Sequence, residues 1–315
     1  MNIAEDTLFI EGLKEGNLSK LRKVAKGDVH NHCSTGMRFS VFNEWANGEA
    51  TKAPRVMDGV VELNNYIFNE VISRVKTGED VAFLIEAAVK EAIDDGVKVL
   101  ETSIDCHDIL NFSNKEDFFK VVSGIRNKYK DEIDFRPEIG MAITTPREEL
   151  EECLVPCIES GVFMSIDAYG EETIEGYETL SPFYKLARNR GMKLKVHAGQ
   201  FLSEEHVALA IDLLEVDEIQ HGLGAATSIE LMDKIKSKGI RLNICPSSNN
   251  ILGSIKDITK HPIRKFFDYG INITVNTDDL LLFDVGSSEE FLKLYNLGLF
   301  TPEELNQIRK AGLKL

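Results

Sequence analysis

Hydrophobic residues along this chain follow two alternating patterns. Short runs rich in aliphatic and β-branched residues are typical of buried strands, and the longer segments between them place hydrophobic residues at helical spacing. In the segment DVAFLIEAAVKEAIDDG, for example, Val81, Leu84 and Ile85 fall on one helical face. The pattern predicts eight strands: Asp28–His32, Lys98–Ile104, Asp134–Met141, Val162–Ala168, Lys193–His197, Glu218–His221, Arg241–Cys245 and Asn272–Asn276.

Eight alternations of strand and helix are typical of an α/β protein. A chain of 315 residues is long enough for one large barrel or for two ordinary domains. We predict a single (β/α)8 TIM barrel over residues 1–315, and a doubly wound open sheet is the alternative. Because such barrels carry their active sites at the C-terminal ends of the strands, the residues that end each predicted strand are the first candidates for chemistry.

The composition narrows the class of partner. The formal net charge is −16, and a surface this acidic repels phosphate backbones and anionic lipid, so we expect no nucleic acid and no membrane partner. No apolar run reaches the about 18 residues that a membrane-spanning helix needs. The acidic N-terminal residues lack the basic start and apolar core of a signal peptide. We therefore expect a cytoplasmic protein.

The cysteines agree with a reducing compartment. They are odd in number and scattered along the chain, as expected for free thiols: Cys33, Cys106, Cys153, Cys157 and Cys245. Cys153 and Cys157 lie four residues apart on a predicted helix. Two neighbouring buried thiols are the favoured interpretation, and a metal site is the alternative.

Histidines concentrate at the predicted strand ends. The first strand ends in the pair His30 and His32, which share a side because side chains alternate along a strand. The fifth and sixth strands end in His197 and His221, and the eighth runs into Asp278. The remaining histidines lie away from the predicted strand ends: His107, His206 and His261.

Three histidines and a carboxylate at one end of a barrel are typical of a metal centre. This set suits one Zn²⁺ ion with an open position for water, and Fe²⁺ accepts the same ligands. Such a metal lowers the pKa of its bound water toward neutrality. Asp278 could bind the metal and orient that water, and His221 could hydrogen-bond to it. Asp279 could hold a polar group of the substrate, or it could be a helix N-cap.

Seven short motifs occur in the order found in the adenosine deaminase family: KGDVHNH, SIDAYGEE, VHAGQ, IQHGLG, NICPSSN, HPI and VNTDD. The chain resembles this family over most of its length. The resemblance implies a zinc-dependent (β/α)8 barrel of the amidohydrolase superfamily that acts on a small-molecule purine. It also implies a single metal ion held by His30, His32, His197 and Asp278. His221 is then expected to assist the metal-bound water.

The resemblance further implies how a purine is held. Gly170 offers its backbone to the ring, and Asp279 meets ring N7. Residues 37–78, between the first strand and its helix, correspond to the helical lid that covers the substrate in the family. We expect most apolar residues of this insertion to form its own core and a few to contact ligand: Phe39, Phe42, Trp45, Val60, Leu63, Tyr66 and Phe68.

Two positions depart from the family pattern. Members that act on adenosine follow the histidine pair with Leu-Asp-Gly, whose Asp holds the ribose 5′-hydroxyl, and Ser34 stands at that Asp position here. A different sugar substituent, a free base or a modified nucleoside is therefore open as substrate. Gln200 replaces the glutamate of His-Ala-Gly-Glu, which donates a proton to ring N1. An amide can hydrogen-bond to N1 but does not transfer a proton at neutral pH, and a positioned general acid contributes about 10²–10⁴-fold in rate.

Four glutamates near these motifs are candidates for a replacement acid. Glu204 and Glu205 follow Ser203 in the first turn of a predicted helix, where acidic side chains favour the helix dipole, and this structural role explains them. Glu171 and Glu172 follow the fourth strand and have no stronger support.

The leading hypothesis is a zinc-dependent hydrolytic deaminase that acts on adenosine or a related aminopurine by attack of metal-bound hydroxide at C6. Because Gln200 replaces the general acid, a catalytically weak or inactive metal-containing homologue that binds nucleosides is the alternative. A hydrolase that acts on a different leaving group is a further one. A glutamine introduced deliberately to trap a substrate complex would leave the same pattern.

Overall fold

The strands form one parallel sheet that closes on itself. The computed structural model describes residues 3–314, and its strands follow one another in sequence order around the sheet. Asn31 and Asp278 join the first strand to the last through a parallel bridge, in which the Asp278 amide donates to the His30 carbonyl at 3.0 Å. The strands are β1 (Lys26–His32), β2 (Val97–Asp105), β3 (Asp134–Ala142), β4 (Ser165–Tyr169), β5 (Lys193–Ala198), β6 (Glu218–His221), β7 (Arg241–Ile244) and β8 (Ile273–Val275).

Helices surround this barrel because each connection returns the chain to the start of the next parallel strand. Short helices also occupy the connections at the C-terminal ends of several strands. The α helices are α1 (Ile3–Glu15), α2 (Leu18–Leu21), α3 (Phe39–Trp45), α4 (Gly59–Tyr66), α5 (Gly78–Asp94), α6 (Lys115–Tyr129), α7 (Arg147–Glu149), α8 (Val155–Glu159), α9 (Ile174–Asn189), α10 (Glu204–Leu214), α11 (Ile229–Lys238), α12 (Pro246–Ile251), α13 (Ile263–Tyr269), α14 (Leu280–Phe283), α15 (Ser287–Asn296) and α16 (Pro302–Ala311).

The predicted barrel is confirmed, and the open sheet is wrong because β1 and the residues after β8 are hydrogen-bonded. All eight predicted strands are present, with shifted ends. β4 begins at Ser165 rather than at Val162, and β2 continues to Asp105. This extension matters for the site, since it places His107 two residues beyond a strand end, where the sequence pattern had not put it.

The interior of the barrel contains charged side chains where an apolar filling would be ordinary. Lys195 on β5 is fully buried, and its Nζ lies 2.6 Å from Glu101 Oε2 and 2.7 Å from Glu138 Oε2. Arg241 on β7 continues the network, 2.7 Å from a carboxylate oxygen of Glu218. A buried charge is tolerated when it is paired, and these pairs join strands that are distant in sequence.

We expect the substitution Lys195→Met to lower the free energy of unfolding by about 3–5 kcal/mol, because it leaves Glu138 buried without its cation and removes one of the cations paired with Glu101, which keeps Arg136 at 3.0 Å. Urea unfolding followed by circular dichroism measures the change. Lys128→Met is the matched control, since Lys128 pairs with Glu86 at the surface and such pairs contribute about 0–1 kcal/mol. Equal and small effects for the two substitutions would contradict this account of the interior.

The cysteines are free and buried, as predicted. Cys153 lies in a π-helical turn (Leu150–Leu154) and Cys157 in α8, and their exposed fractions are 1% and 0%. Within residues 3–314 neither thiol belongs to a group of possible metal ligands. The burial of both thiols agrees with the interpretation as two neighbouring buried thiols.

Among the helices of residues 3–314, none combines the length and the apolarity that crossing a lipid bilayer requires.

Candidate active site

A cavity of about 650 Å³ opens at the C-terminal ends of the barrel strands. Its volume lies within the about 300–1,000 Å³ that is usual for small-molecule sites. His30 is fully buried beneath the cavity, and the other residues predicted for the site line it: His32, Ser34, Gly170, His197, Gln200, His221, Asp278 and Asp279. The structure thus brings the whole predicted set to one place.

Four of these side chains converge at the floor of the cavity. One possible ligand atom from each of His30, His32, His197 and Asp278 lies within 4.8 Å of all the others. The Nε2 atoms of His30 and His197 are 3.1 Å apart, and His32 Nε2 is 3.1 Å from Asp278 Oδ1. The pair from β1 converges because His30 and His32 point to the same side of the strand, as the spacing predicts.

The tautomers of two of these histidines fit a bound cation. His30 Nδ1 lies 3.0 Å from the carbonyl oxygen of Asn243, and His197 Nδ1 lies 3.2 Å from that of Ala168. A carbonyl only accepts, so both Nδ1 atoms carry hydrogen, and in the neutral rings both Nε2 atoms present lone pairs. Two lone pairs that face each other at 3.1 Å repel unless a cation lies between them. The residues present therefore fit a metal ion, held with the outer hydrogen bonds that metal-binding histidines normally make.

A second combination of ligands shares His30 and Asp278 but uses His221 and Cys245. The Cys245 thiol lies 3.2 Å from His30 Nδ1, the nitrogen that donates to the Asn243 carbonyl. That nitrogen has no free lone pair for a metal, and burial raises the pKa of the Cys245 thiol well above its usual range. The first combination is therefore the better metal centre.

Two site residues adopt strained backbone conformations. His221 has φ of +66° and Asp278 has φ of +61°, in the left-handed region that favours glycine. His221 ends β6, Asp278 lies three residues after the end of β8 at the bridge to β1, and both residues line the cavity. Such strain is retained where the surrounding structure overdetermines it, and it is concentrated at functional sites.

Asp279 faces the cavity beside the metal ligands. It occupies the N-cap position of α14, as one interpretation predicted, but its side chain makes no capping hydrogen bond. The Thr35 hydroxyl donates to Asp279 Oδ1 instead. Burial, with the neighbouring negative charge of Asp278, raises the pKa of Asp279 to about 6. Thr35 was not identified from the sequence, although it lies only three residues after His32.

Gln200 has an amide group that lacks a partner. Its Nε2 atom is buried and makes no hydrogen bond within residues 3–314, and the side chain lines the cavity. Its backbone amide donates to Glu172 Oε1 at 2.9 Å, and the amide of Gly199 donates to the other oxygen of Glu172. Glu172 therefore holds the loop that presents Gln200.

The other candidate acids fall into two groups. Glu204 accepts a hydrogen bond from the Thr227 hydroxyl at the start of α10, and Glu205 is in the same turn, as their structural interpretation predicted. Glu171 lines the cavity. Glu172, by contrast, is wrong as a replacement acid because both its oxygens are committed to backbone amides.

A hydrogen-bonded cluster that the sequence did not predict forms the wall beyond β2. His107 lies between two carboxylates, with Nδ1 2.8 Å from Asp105 Oδ1 and Nε2 3.0 Å from Glu149 Oε2. The Tyr169 hydroxyl donates to the other oxygen of Asp105. The hydrogen bond with Asp105, opposed by burial and reinforced by Glu149, raises the pKa of His107 to about 9. Polar residues directly after a strand were the available signal, but β2 was predicted one residue too short.

The charge of the cavity is strongly one-sided. Among the described residues that line it, none is a lysine or an arginine. Six lining residues are acidic: Asp105, Asp108, Glu149, Glu171, Asp278 and Asp279. His107 is the one lining side chain outside the predicted metal centre and His221 that offers a positive charge. The cavity therefore disfavours anions.

The insertion after β1 supplies an apolar side of the cavity. It consists of α3, α4, a π-helical turn (Ile67–Val71) and a short 3₁₀ turn (Ile72–Arg74). Phe42 is fully buried in the protein core, whereas Val60, Leu63 and Phe68 line the cavity. Phe68 is 64% exposed. The role of this insertion as a lid stays a prediction.

Comparisons with known proteins identify one family and one fold for this chain. The model of the family described as adenosine deaminase matches residues 26–315. The chain is 33% identical over 286 residues to a putative adenosine/adenine deaminase of Treponema pallidum (strain Nichols), which covers 90% of this chain and 96% of that protein. Its fold is similar to that of an amidohydrolase from Burkhoderia ambifaria solved with bound Zn, with a TM-score of 0.80, 20% identity and coverage of 94% and 86%. It is also similar to an Arabidopsis N6-mAMP deaminase, with a TM-score of 0.77, 18% identity and 93% coverage of both chains.

Proposed function

Because the chain belongs to the adenosine deaminase family, whose members are metal-dependent hydrolases acting on C–N bonds, we propose that it is a zinc-dependent deaminase of adenosine or a related aminopurine. The observation that carries the proposal is the convergence of three imidazole nitrogens and the Asp278 carboxylate at the floor of a purine-sized cavity. The amino group leaves from ring C6 as ammonia, and water supplies the oxygen that replaces it.

The metal ligands in this proposal are His30, His32, His197 and Asp278. When bound, Zn²⁺ lowers the pKa of a coordinated water and so supplies a nucleophile near neutral pH. Zinc is preferred because three imidazoles and one carboxylate are a usual catalytic zinc set, and Fe²⁺ is the alternative ion.

The remaining site residues bind and orient the ring. The Asp279 carboxyl, with its pKa raised to about 6, lies in the cavity, where its protonated form can donate a hydrogen bond to ring N7. Gly170 has φ of +90° and open space above its Cα, so its backbone can approach a flat ring closely. Val60, Leu63 and Phe68 then pack over the ring as the lid, and Ser34 faces the sugar side.

Gln200 favours a second candidate function, a nucleoside-binding homologue with weak or absent catalysis or a hydrolase for a better leaving group. Its unpartnered amide hydrogen-bonds to ring N1 but does not deliver a proton there. Glu172, whose carboxylate accepts from the backbone amides of Gly199 and Gln200, is committed to those bonds and does not replace the missing acid. This candidate predicts that aminopurines bind to the metal-loaded protein and are not consumed.

The test is ammonia release by the zinc-loaded protein from a panel that contains adenine, adenosine and deoxyadenosine. The deaminase proposal expects turnover of at least one compound and none after chelation of the metal. Binding of these compounds without any ammonia from the loaded protein would replace the deaminase by the second candidate.

The acidic cavity predicts the charge of the substrate. We expect kcat/KM for AMP to be at least about tenfold below that for adenosine, about 1.4 kcal/mol, because no lysine or arginine among the lining residues meets a phosphate. Glu171→Lys should reduce the difference in kcat/KM between the two substrates. Glu175→Lys is the matched control, because Glu175 lies at the exposed start of α9, outside the cavity. Equal kcat/KM values for AMP and adenosine would show that the acidic cavity does not select substrates by charge.

A further inference from the structure

A chain of hydrogen bonds connects His221 to the backbone of α13. The Ile263 amide donates to His261 Nδ1 at 3.0 Å. His261 Nε2 lies 3.1 Å from Asn249 Oδ1, and Asn249 Nδ2 lies 3.0 Å from His221 Nδ1. All three side chains are buried, with exposed fractions of 3%, 0% and 1% in that order. Neither Asn249 nor His261 touches the cavity, so the proposed function gives them no role.

The Ile263 amide fixes which groups donate and which accept along this chain of hydrogen bonds. A backbone amide only donates, so His261 Nδ1 must accept and its ring hydrogen lies on Nε2. Burial lowers the pKa of His261 to about 3, which keeps the ring neutral at physiological pH. His261 Nε2 therefore donates to Asn249, and the oxygen of the amide must face it.

The backbone of Asn249 is fixed as well, so its side chain has little freedom to leave this arrangement. Its carbonyl oxygen accepts from the Ser254 hydroxyl at 2.9 Å and from the Ile255 amide at 2.8 Å. Its own amide donates to the Cys245 carbonyl at 3.0 Å, in the first turn of α12. With the amide oxygen on His261, the NH₂ group points to His221, and an NH₂ group only donates.

We propose that His261 and Asn249 are positioning residues that hold His221 in the tautomer with its hydrogen on Nε2. His221 Nδ1 accepts from Asn249, and a hydrogen there would oppose the amide hydrogen at 3.0 Å. His221 Nε2–H then faces the Asp278 side of the site, where Oδ2 lies 3.8 Å away. Asn249 ends the NICPSSN motif and His261 begins the HPI motif. In this proposal both residues serve to orient His221.

The consequence for the proposed function, on which this role rests, is that His221 begins the reaction as a hydrogen-bond donor. It stabilises negative charge that develops next to it and does not take up a proton on Nε2 at the outset. The opposite tautomer would present a lone pair to Asp278, and two acceptors would then face each other across the site.

The substitution Asn249→Asp tests the proposal because it replaces the donor by a second acceptor of the same shape. With ¹⁵N-labelled histidine in the metal-loaded protein, NMR should find His221 Nε2 protonated and Nδ1 unprotonated, and the reverse in Asn249→Asp. We expect kcat to fall by about 10–100-fold, as is usual when a residue that orients a site histidine is changed, with KM nearly unchanged. Asn250→Asp adds the same charge one residue along, where the side chain bonds to the Ile255 carbonyl and not to His221, and it should leave the tautomer as it is.

A second pair of substitutions separates positioning from folding. His261→Leu removes the donor to Asn249 and should lower kcat. His261→Gln keeps a donor there, so it should retain most of the wild-type kcat. A wild-type protein with the hydrogen on His221 Nδ1, or an unchanged tautomer in a folded Asn249→Asp protein, would overturn the proposal. The NMR result does not depend on turnover, so a protein that deaminates nothing would refute the proposed function and leave this tautomer measurable.

Discussion

Asp278→Asn is expected to remove most of the bound metal and to lower kcat for deamination by about 10⁴-fold, about 5 kcal/mol of barrier. The substitution removes the one negative charge among the four ligands. The fold should survive it, because Asp278 has φ of +61° and asparagine tolerates this conformation as well as aspartate does. Metal content by atomic emission and the initial rate of ammonia release, measured on the same samples, give both effects.

Asp284→Asn is the matched control for that substitution. Asp284 has φ of +55°, so the same chemical change is made in the same backbone conformation six residues along. Its carboxylate lies at the surface beside Arg38, outside the cavity. We expect wild-type metal content and rate. An Asp278→Asn protein that kept stoichiometric metal and the wild-type rate would remove Asp278 from the centre.

Gln200→Glu is expected to raise kcat by about 10²–10⁴-fold, because it restores a carboxyl group where only an amide faces the cavity. The change is nearly isosteric, and the backbone of this loop is already fixed by Glu172. Burial and the acidic cavity should raise the pKa of the new carboxyl, so that a useful fraction is protonated near neutral pH. The gain should therefore be largest at mildly acidic pH and decrease as pH rises through that pKa.

The control for this gain is Gln307→Glu, which makes the same change on the exposed face of α16. Steady-state rates for adenine and adenosine across pH 5–9 provide the measurement. A rate that does not change in Gln200→Glu, with metal content equal to wild type, would mean that the wild-type protein already uses another proton donor. In that case the weak-catalyst alternative loses its main support.

Much of the fold and the metal centre could be predicted from local sequence pattern. Strands and helices differ in hydrophobic period, so eight alternations predicted the barrel, and barrel geometry then placed the four strand-end histidines together. The His30 and His32 spacing also predicted that both side chains face one side. These predictions succeed because each depends on residues near one another in sequence or on a fixed property of parallel barrels.

Contacts between strands distant in sequence could not be predicted in the same way. Lys195 pairs with Glu101 and Glu138 in the barrel interior, yet each looks in sequence like an ordinary charged strand residue. The link from His221 through Asn249 to His261 likewise depends on three separate segments meeting. The hydrophobic periodicity of the sequence does not reveal such contacts. Hydrogen-bond partners depend on tertiary distance and on which ring nitrogen faces which neighbour.

The central question is whether this barrel replaces a purine amino group with oxygen from water. The direct measurement is mass spectrometry of the product formed by the zinc-loaded wild-type protein from adenine or adenosine in ¹⁸O-labelled water. We expect a 6-oxo product that carries one ¹⁸O atom, and the release of one ammonia for each molecule converted. A protein with stoichiometric zinc that binds these purines and yields no labelled 6-oxo product would contradict it.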